Sequence, residues 1–207
     1  MQVETLFFLV ILIFSIIIHE IAHGYMAEWF GDPTARLAGR LTLNPIPHID
    51  PLGSIILPAL MLLGSGGTFA FGWAKPVPYN PYNLRNFKWG TVFVGIAGVL
   101  ANLAIAVIFG LMLRFNVELG IVPGPFAQML GTIVFLNIVL AVFNMIPFPP
   151  LDGAKVLFAF LPLRFQQIHD YLERNCLLFI VFVVFFAQYI ILPISSFIFR
   201  LITGVGI

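Results

Sequence analysis

Long apolar runs separated by short polar loops set the pattern of this chain. Four runs, roughly Thr5 to Glu28, Gly90 to Leu113, Phe126 to Ile146 and Cys176 to Phe199, reach the ~20 residues that a bilayer core demands. Each predicts a transmembrane helix. A fifth stretch, PLGSIILPALMLLG at 51–64, is shorter, is interrupted by Pro58 and is followed by GSGG. That pattern suits a re-entrant segment at least as well as a short span. GTFAFGWAKPVPYNPYNLRNF then starts aromatic and β-compatible and goes on to Pro76, Pro78 and Pro81, which exclude helix. An extended strand or short hairpin at the membrane surface is expected there. IPFPPLDGAKV must end the third helix in a non-helical turn, and FLPLRFQQIHDYLERN reads as an interfacial segment before the last span. The expected fold is an all-α polytopic membrane protein with about four transmembrane helices. A re-entrant segment and a short membrane-associated β-hairpin or strand complete it. One membrane-embedded domain over 1–207 is expected, with its core at 5–160.

Composition agrees. Of 207 residues, 60 % are hydrophobic and 9 % charged, and mean hydropathy is +1.04, more apolar side chain than a soluble domain of this length can bury. A net charge of +1 with no basic run argues against a nucleic-acid partner. Cys176 is the only cysteine, so an intramolecular disulfide and a cysteine-based zinc site are excluded. The first run lacks a basic leader and a small-residue cleavage site, so it is expected to persist as a span rather than be removed as a signal peptide. If 51–64 dips and returns, Arg36, Arg40, Lys75, Arg85 and Lys88 share a side with Lys155, Arg164 and Arg174, leaving Arg114 and Arg200 opposite. The positive-inside rule then places both termini outside the cytoplasm.

IIHEIAHGY (17–25) carries His19, Glu20 and His23 into the first span. On a helix the two histidines stand one turn apart on one face, with Glu20 beside them. Two imidazoles can then grip one metal ion while the carboxylate reaches a water, which is the content of H-E-x-x-H. The bland alternative is a pair of interhelical hydrogen-bonding histidines and a buried glutamate. An unpaired carboxylate in hydrocarbon is costly, and ionisable residues in spans mark function, so a zinc site is the stronger reading. Catalytic zinc usually takes three protein ligands. Met26 and Trp29 stand where one soluble pattern continues with Gly and His, and no glutamate lies between Trp29 and Arg114. Asp152, in NMIPFPPLDG beside Gly153, is the best third ligand, against the alternative that it caps the following helix. His48 and Asp50 in NPIPHIDP are rivals that can instead orient ligands or line the entrance. His169 and Asp170 lie in a charged segment and read as solvated.

HEIAH in a membrane helix, followed far downstream by NMIPFPPLDG, resembles the site-2 protease family of intramembrane zinc metalloproteases. GIAGVLAN (95–102) resembles that family's G-x-x-x-N element, and LNPIPHIDPLGS and FGWAKPVP resemble its compact prokaryotic branch. The resemblance covers roughly residues 5 to 160 and implies one zinc per chain on His19, His23 and Asp152. It makes Glu20 the general base and sets Asn102 beside the substrate backbone or oxyanion. Asn144 would stabilise the turn that presents Asp152. It also implies transmembrane protein or peptide substrates, a prokaryotic cell membrane, and a site nearer the cytoplasmic face. No PDZ or CBS domain and no span before the histidine helix are expected, and Ala154 departs from the usual second glycine. A substrate helix must unwind before its peptide bonds can be attacked. TFAFGWAKPV, with Phe71, Gly72 and Trp73, is the candidate strand that would hold it unwound by β-augmentation; a lipid-facing aromatic anchor is the alternative. Two other classes share part of this pattern. A ZIP-like zinc transporter would carry glutamate where Gly24 stands and needs further ligands across the bilayer, where only Asn102, Asn137 and Asn144 are available. A non-catalytic helix-binding scaffold is disfavoured by an intact Glu20.

Overall fold

In the computed structural model, which describes residues 2–64, 66, 72–119 and 124–205, the side chains of 2, 117–119, 163, 166 and 176–188 excepted, the apolar runs are helices. α1 spans Gln2–Trp29 and is followed by the single turn α2, Thr34–Leu37. A π-helical turn at Pro51–Ile56 runs into α3, Leu57–Gly64. Then come α4 (Phe87–Leu119), α5 (Gly124–Asn144), α6 (Asp152–Phe160), α7 (Gln166–Arg174) and α8 (Cys176–Thr203).

Among the described residues, α1, α4 and α5 are long and apolar enough to cross a bilayer. α8 is a 28-residue helix over the expected fourth span, although the side chains of its first half lie outside the described residues. The 14 residues of Pro51–Gly64 reach about 21 Å as a helix, short of the ~30 Å hydrocarbon core, and α3 buries none of its residues.

α1 stops where the sequence turns to FGDP. Gly31 adopts φ +106°; its N–H bonds Glu28 O at 2.9 Å, and the N–H of Asp32 bonds Ala27 O at 2.9 Å. These are the paired closures of a glycine-terminated helix. Asp32, fully buried, then accepts from Asn80 N–H (2.6 Å) and Asn83 Nδ2 (2.8 Å). One carboxylate thereby ties the end of α1 to the segment leading into α4.

α4 is the central helix and packs against α1, α5, α6 and α8. At one end, Ala106 and Leu113 of α4, Leu130, Val134 and Ile138 of α5 and Phe199 of α8 form an apolar cluster. At the other, Ala27, Leu84 and Val94 pack with Met26, Phe30 and Tyr79. Between α1 and α5, Asn137 Nδ2 donates to Ser15 Oγ at 3.0 Å, a polar tie of the kind that holds apolar helices together.

The strand or hairpin expected at 67–87 is not formed among the described residues; 67–71, Phe71 included, lie outside them. Residues 72–80 run without regular secondary structure. Trp73 N–H bonds Gly53 O at 3.1 Å and Lys75 N–H bonds His48 O at 2.9 Å. The partners are turn carbonyls rather than a neighbouring strand. Pro76 and Pro78 lack the N–H groups that a ladder on the opposite edge would use.

Candidate metal centre

α1 crosses α4 where α4 carries Gly98. A Cβ there would lie 2.5 Å from His19 Cε1 and 2.6 Å from the Nε2 atoms of both histidines, so only glycine lets α4 pass this close. The turn after α5 brings in the third group. It contains a cis Pro149–Pro150 bond, and a Cβ on Gly153 would meet Met145 O at 2.3 Å and Ile146 O at 2.6 Å. Glycine is therefore required for α6 to start directly against the end of α5. Asp152 is the first residue of α6. The cap position falls on Leu151, without a side-chain cap bond, so the aspartate points elsewhere.

It points at the histidines. Asp152 Oδ2 lies 2.9 Å from His19 Nε2 and 3.0 Å from His23 Nε2, and the two Nε2 atoms are 3.0 Å apart. The three residues are 4–5 % exposed. The tautomer of His23 is set by its surroundings: Nδ1 donates to Val94 O at 2.6 Å, and a carbonyl can only accept. In neutral His23, Nε2 is then a bare lone pair facing a carboxylate oxygen and a second imidazole nitrogen. With His19 in the tautomer that leaves its Nε2 bare as well, the three atoms are converging electron pairs that a cation would hold together. Donors this close would fit a single ion, and two imidazoles with one carboxylate suit zinc. Val94 O supplies the outer contact that orients a ligating histidine. Burial alone would push the Asp152 carboxyl up, whereas the ammonium of Lys155, 2.8 Å from Oδ1, favours the ionised form.

Glu20 stands beside the cluster and does not join it. Its Oε2 accepts from Val77 N–H at 2.8 Å, which leaves Oε1 for chemistry. Asn102, fully buried one turn beyond Gly98 on α4, has neither side-chain nitrogen nor oxygen bonded, a donor and an acceptor held in reserve. Asn144 Nδ2 bonds Leu140 O at 2.9 Å within its own helix, not the turn. His48 and Asp50 are not brought to the cluster. His48, 2 % exposed, donates from Nε2 to Thr42 O at 2.9 Å; Asp50 Oδ1 caps the π-helical turn through Gly53 N–H at 2.7 Å. Both build the floor on which 72–77 lies: a Cβ on Gly53 would meet the Trp73 indole at 2.3 Å, and one on Gly72 would meet Gly53 O at 2.5 Å. Arg40 Nη2 donates to Lys75 O at 2.7 Å from the same side.

Sequence reasoning missed Val94, whose contribution is a main-chain oxygen, and Val77, whose contribution is a main-chain N–H. It also missed Lys155, although its place three residues after Asp152 on a helix puts the two side chains on one face.

Comparison with known proteins places these motifs in a wider set. Residues 120–188 match the model described as peptidase family M50. YwhC of Bacillus subtilis, a protein named as a zinc metalloprotease, is 36 % identical over 197 residues, 93 % of this chain and 83 % of its own length. Rip2 of Mycolicibacterium smegmatis, with the same kind of name, is 32 % identical over 144 residues, 69 % of this chain and 52 % of Rip2. Zinc metalloprotease MJ0392 of Methanocaldococcus jannaschii is 24 % identical over 159 residues, 77 % of this chain and 35 % of that protein. This chain thus spans about half of Rip2 and a third of MJ0392. No solved structure gives a significant match.

Proposed function

This chain belongs to peptidase family M50, the site-2 protease family, and from that membership we propose that it is an intramembrane zinc metalloendopeptidase that hydrolyses peptide bonds of transmembrane helices. His19, His23 and Asp152 hold one zinc ion. The observation that carries the reading is the His23 Nδ1–H bond to Val94 O, which aims a bare Nε2 at the Asp152 carboxylate inside an apolar helix bundle. When bound, zinc supplies Lewis acidity that polarises the scissile carbonyl and makes water a nucleophile near neutral pH.

The chain's own residues supply the rest. Glu20, steadied through Oε2 by Val77 N–H, takes the attacking water's proton on Oε1 and delivers it to the leaving amine. Asn102, with both amide atoms unengaged, receives the substrate backbone or the developing oxyanion. The N–H groups of Trp73, Lys75 and Val77 all turn inward, to Gly53, His48 and Glu20. By the alternation of extended chain, Ala74 turns its N–H and C=O to the opposite edge. An unwound substrate segment would add at that edge over a short stretch centred on Ala74, because Pro76 and Pro78 have no N–H to offer it. Trp73 and Gly72 seat the segment on the turn at Gly53.

Residues 1–207 form a multi-pass membrane domain with α8 as a fourth span, in contact with lipid and with membrane-embedded substrates. Arg40 reaches the main chain of Lys75 and Lys155 reaches Asp152, so basic residues lie next to the segments that build the site, which supports a cytoplasmic-side site and outward termini.

Zinc per chain and cleavage of a transmembrane peptide, measured in detergent for wild type, Glu20→Gln and Asp152→Ala, test the proposal. Wild type holds about one zinc. Glu20→Gln keeps it and loses about 10²-fold or more in rate, and Asp152→Ala loses most of it. Folded wild type that takes up no supplied zinc refutes the metal site, and a fully active Glu20→Gln refutes the base.

A further inference from the structure

The two oxygens of Asp152 have different partners. Oδ2 faces His19 and His23, and Oδ1 accepts from Lys155 Nζ at 2.8 Å. The lysine side chain is 32 % exposed against 5 % for the aspartate, so it reaches the carboxylate from the rim of the site. The stem is held in place. α6 lies against α4 at Gly95, where an added Cβ would be 3.3 Å from Lys155 Cβ and 3.2 Å from Val156 Cγ2. The ring of Tyr79 lies 5.8 Å from Nζ on the other side.

We propose that Lys155 is a positioning residue that divides the Asp152 carboxylate, holding Oδ1 so that Oδ2 alone faces the metal. The inference rests on the reading that His19, His23 and Asp152 hold zinc. A carboxylate free to turn can offer both oxygens to one ion. The second oxygen would then occupy the position that a catalytic site must keep open for water or substrate. His19 and His23 cannot prevent this, because both contact the same oxygen. Lys155 engages the other one.

Cobalt(II) loaded in place of zinc reads the coordination number through its visible absorption, which weakens as a four-coordinate site becomes five-coordinate. Metal content and absorption are measured on detergent-purified wild type, Lys155→Met, Lys155→Gln and Lys155→Arg. Lys155→Met is expected to bind the metal with weakened absorption, and its cleavage rate with zinc is expected to fall about 10- to 100-fold. Lys155→Gln, whose shorter amide falls short of Oδ1, shows the same change while keeping a polar group at the exposed position. Lys155→Arg retains a charged donor and restores the wild-type spectrum. A wild-type spectrum in either folded neutral variant overturns the inference and leaves the zinc reading standing. Wild type that binds neither zinc nor cobalt overturns both.

Discussion

Adding one methyl group at Gly98 should abolish metal binding while leaving the helices intact. The Cβ of Gly98→Ala would sit 2.5 Å from His19 Cε1 and 2.6 Å from both Nε2 atoms. Ordinary contact begins at 3.4 Å, so rings or helices must part by roughly 0.9 Å, whereas metal sites tolerate about ±0.2 Å in ligand distance. The donors now lie 2.9–3.0 Å apart, and a displacement of that size on one side of the group breaks their convergence. A loss of at least ~10²-fold in zinc affinity is expected, or ~2.8 kcal/mol at ~1.4 kcal/mol per decade. The local helix term has the opposite sign, since alanine favours a helix interior by up to ~1 kcal/mol over glycine. It cannot offset the clash. Zinc affinity from competition with a chromogenic chelator, with far-UV circular dichroism as the check on folding, measures the outcome. Gly131→Ala is the control: its Cβ would meet nothing nearer than 3.9 Å, and zinc is expected to stay bound. Wild-type zinc affinity in Gly98→Ala would refute the close-approach argument.

Three further outcomes follow from the same geometry. Val77→Pro removes the N–H that steadies Glu20 Oε2. A hydrogen bond to a charged group contributes ~1.5–3 kcal/mol, so kcat on a transmembrane peptide should fall about 10- to 100-fold with zinc content and KM near wild type; an unchanged kcat counts against this role. Gly153→Ala places a Cβ 2.3 Å from Met145 O, backbone that cannot swing aside. It should lower both the thermal midpoint and zinc content, and a variant that keeps both shows that the turn can relax. For Asp32, burial alone would raise the carboxyl, but bonds from Thr34, Asn83 and Asn80 outweigh it and hold it below its ordinary value. A depressed folded value means that the ionised group stabilises above the unfolded value and that this stability is lost as pH falls through the folded one. Thermal midpoints in detergent should therefore drop below about pH 4, and Asp32→Ala should be less stable at neutral pH with a smaller acid-limb drop. An identical acid limb in the two proteins would assign the drop to other groups.

Much of the architecture is legible in the chain itself, because bilayer thickness and backbone hydrogen bonding leave an apolar run of ~20 residues few alternatives to a helix. α1, α4 and α5 lie where the apolar runs do. The pairing of His19 with His23 was equally legible, since a spacing of four on a helix is a matter of local geometry. Asp152 could be named as a candidate from the prolines and glycine around it, but its alternative as a helix cap stood until Leu151 was found at the cap position. The strand expected over TFAFGWAKPV is not formed in its described part, 72–77, for a reason residue type cannot decide: the N–H groups there bond a carboxylate and two turn carbonyls instead of a neighbouring strand.

Length, hydrophobic periodicity and the helical repeat thus determined which segments enter the membrane and which titratable residues enter with them. Only the tertiary structure decided which nitrogen of His23 is free, which oxygen of Asp152 faces it, and why no side chain fits at Gly98. Those outcomes depend on contacts such as Val94 O with His23 and Asp152 with His19, 71 and 133 residues apart in the chain. They are settled by helices packing at distances where a single methyl group, or a single main-chain carbonyl, changes what a metal site can be.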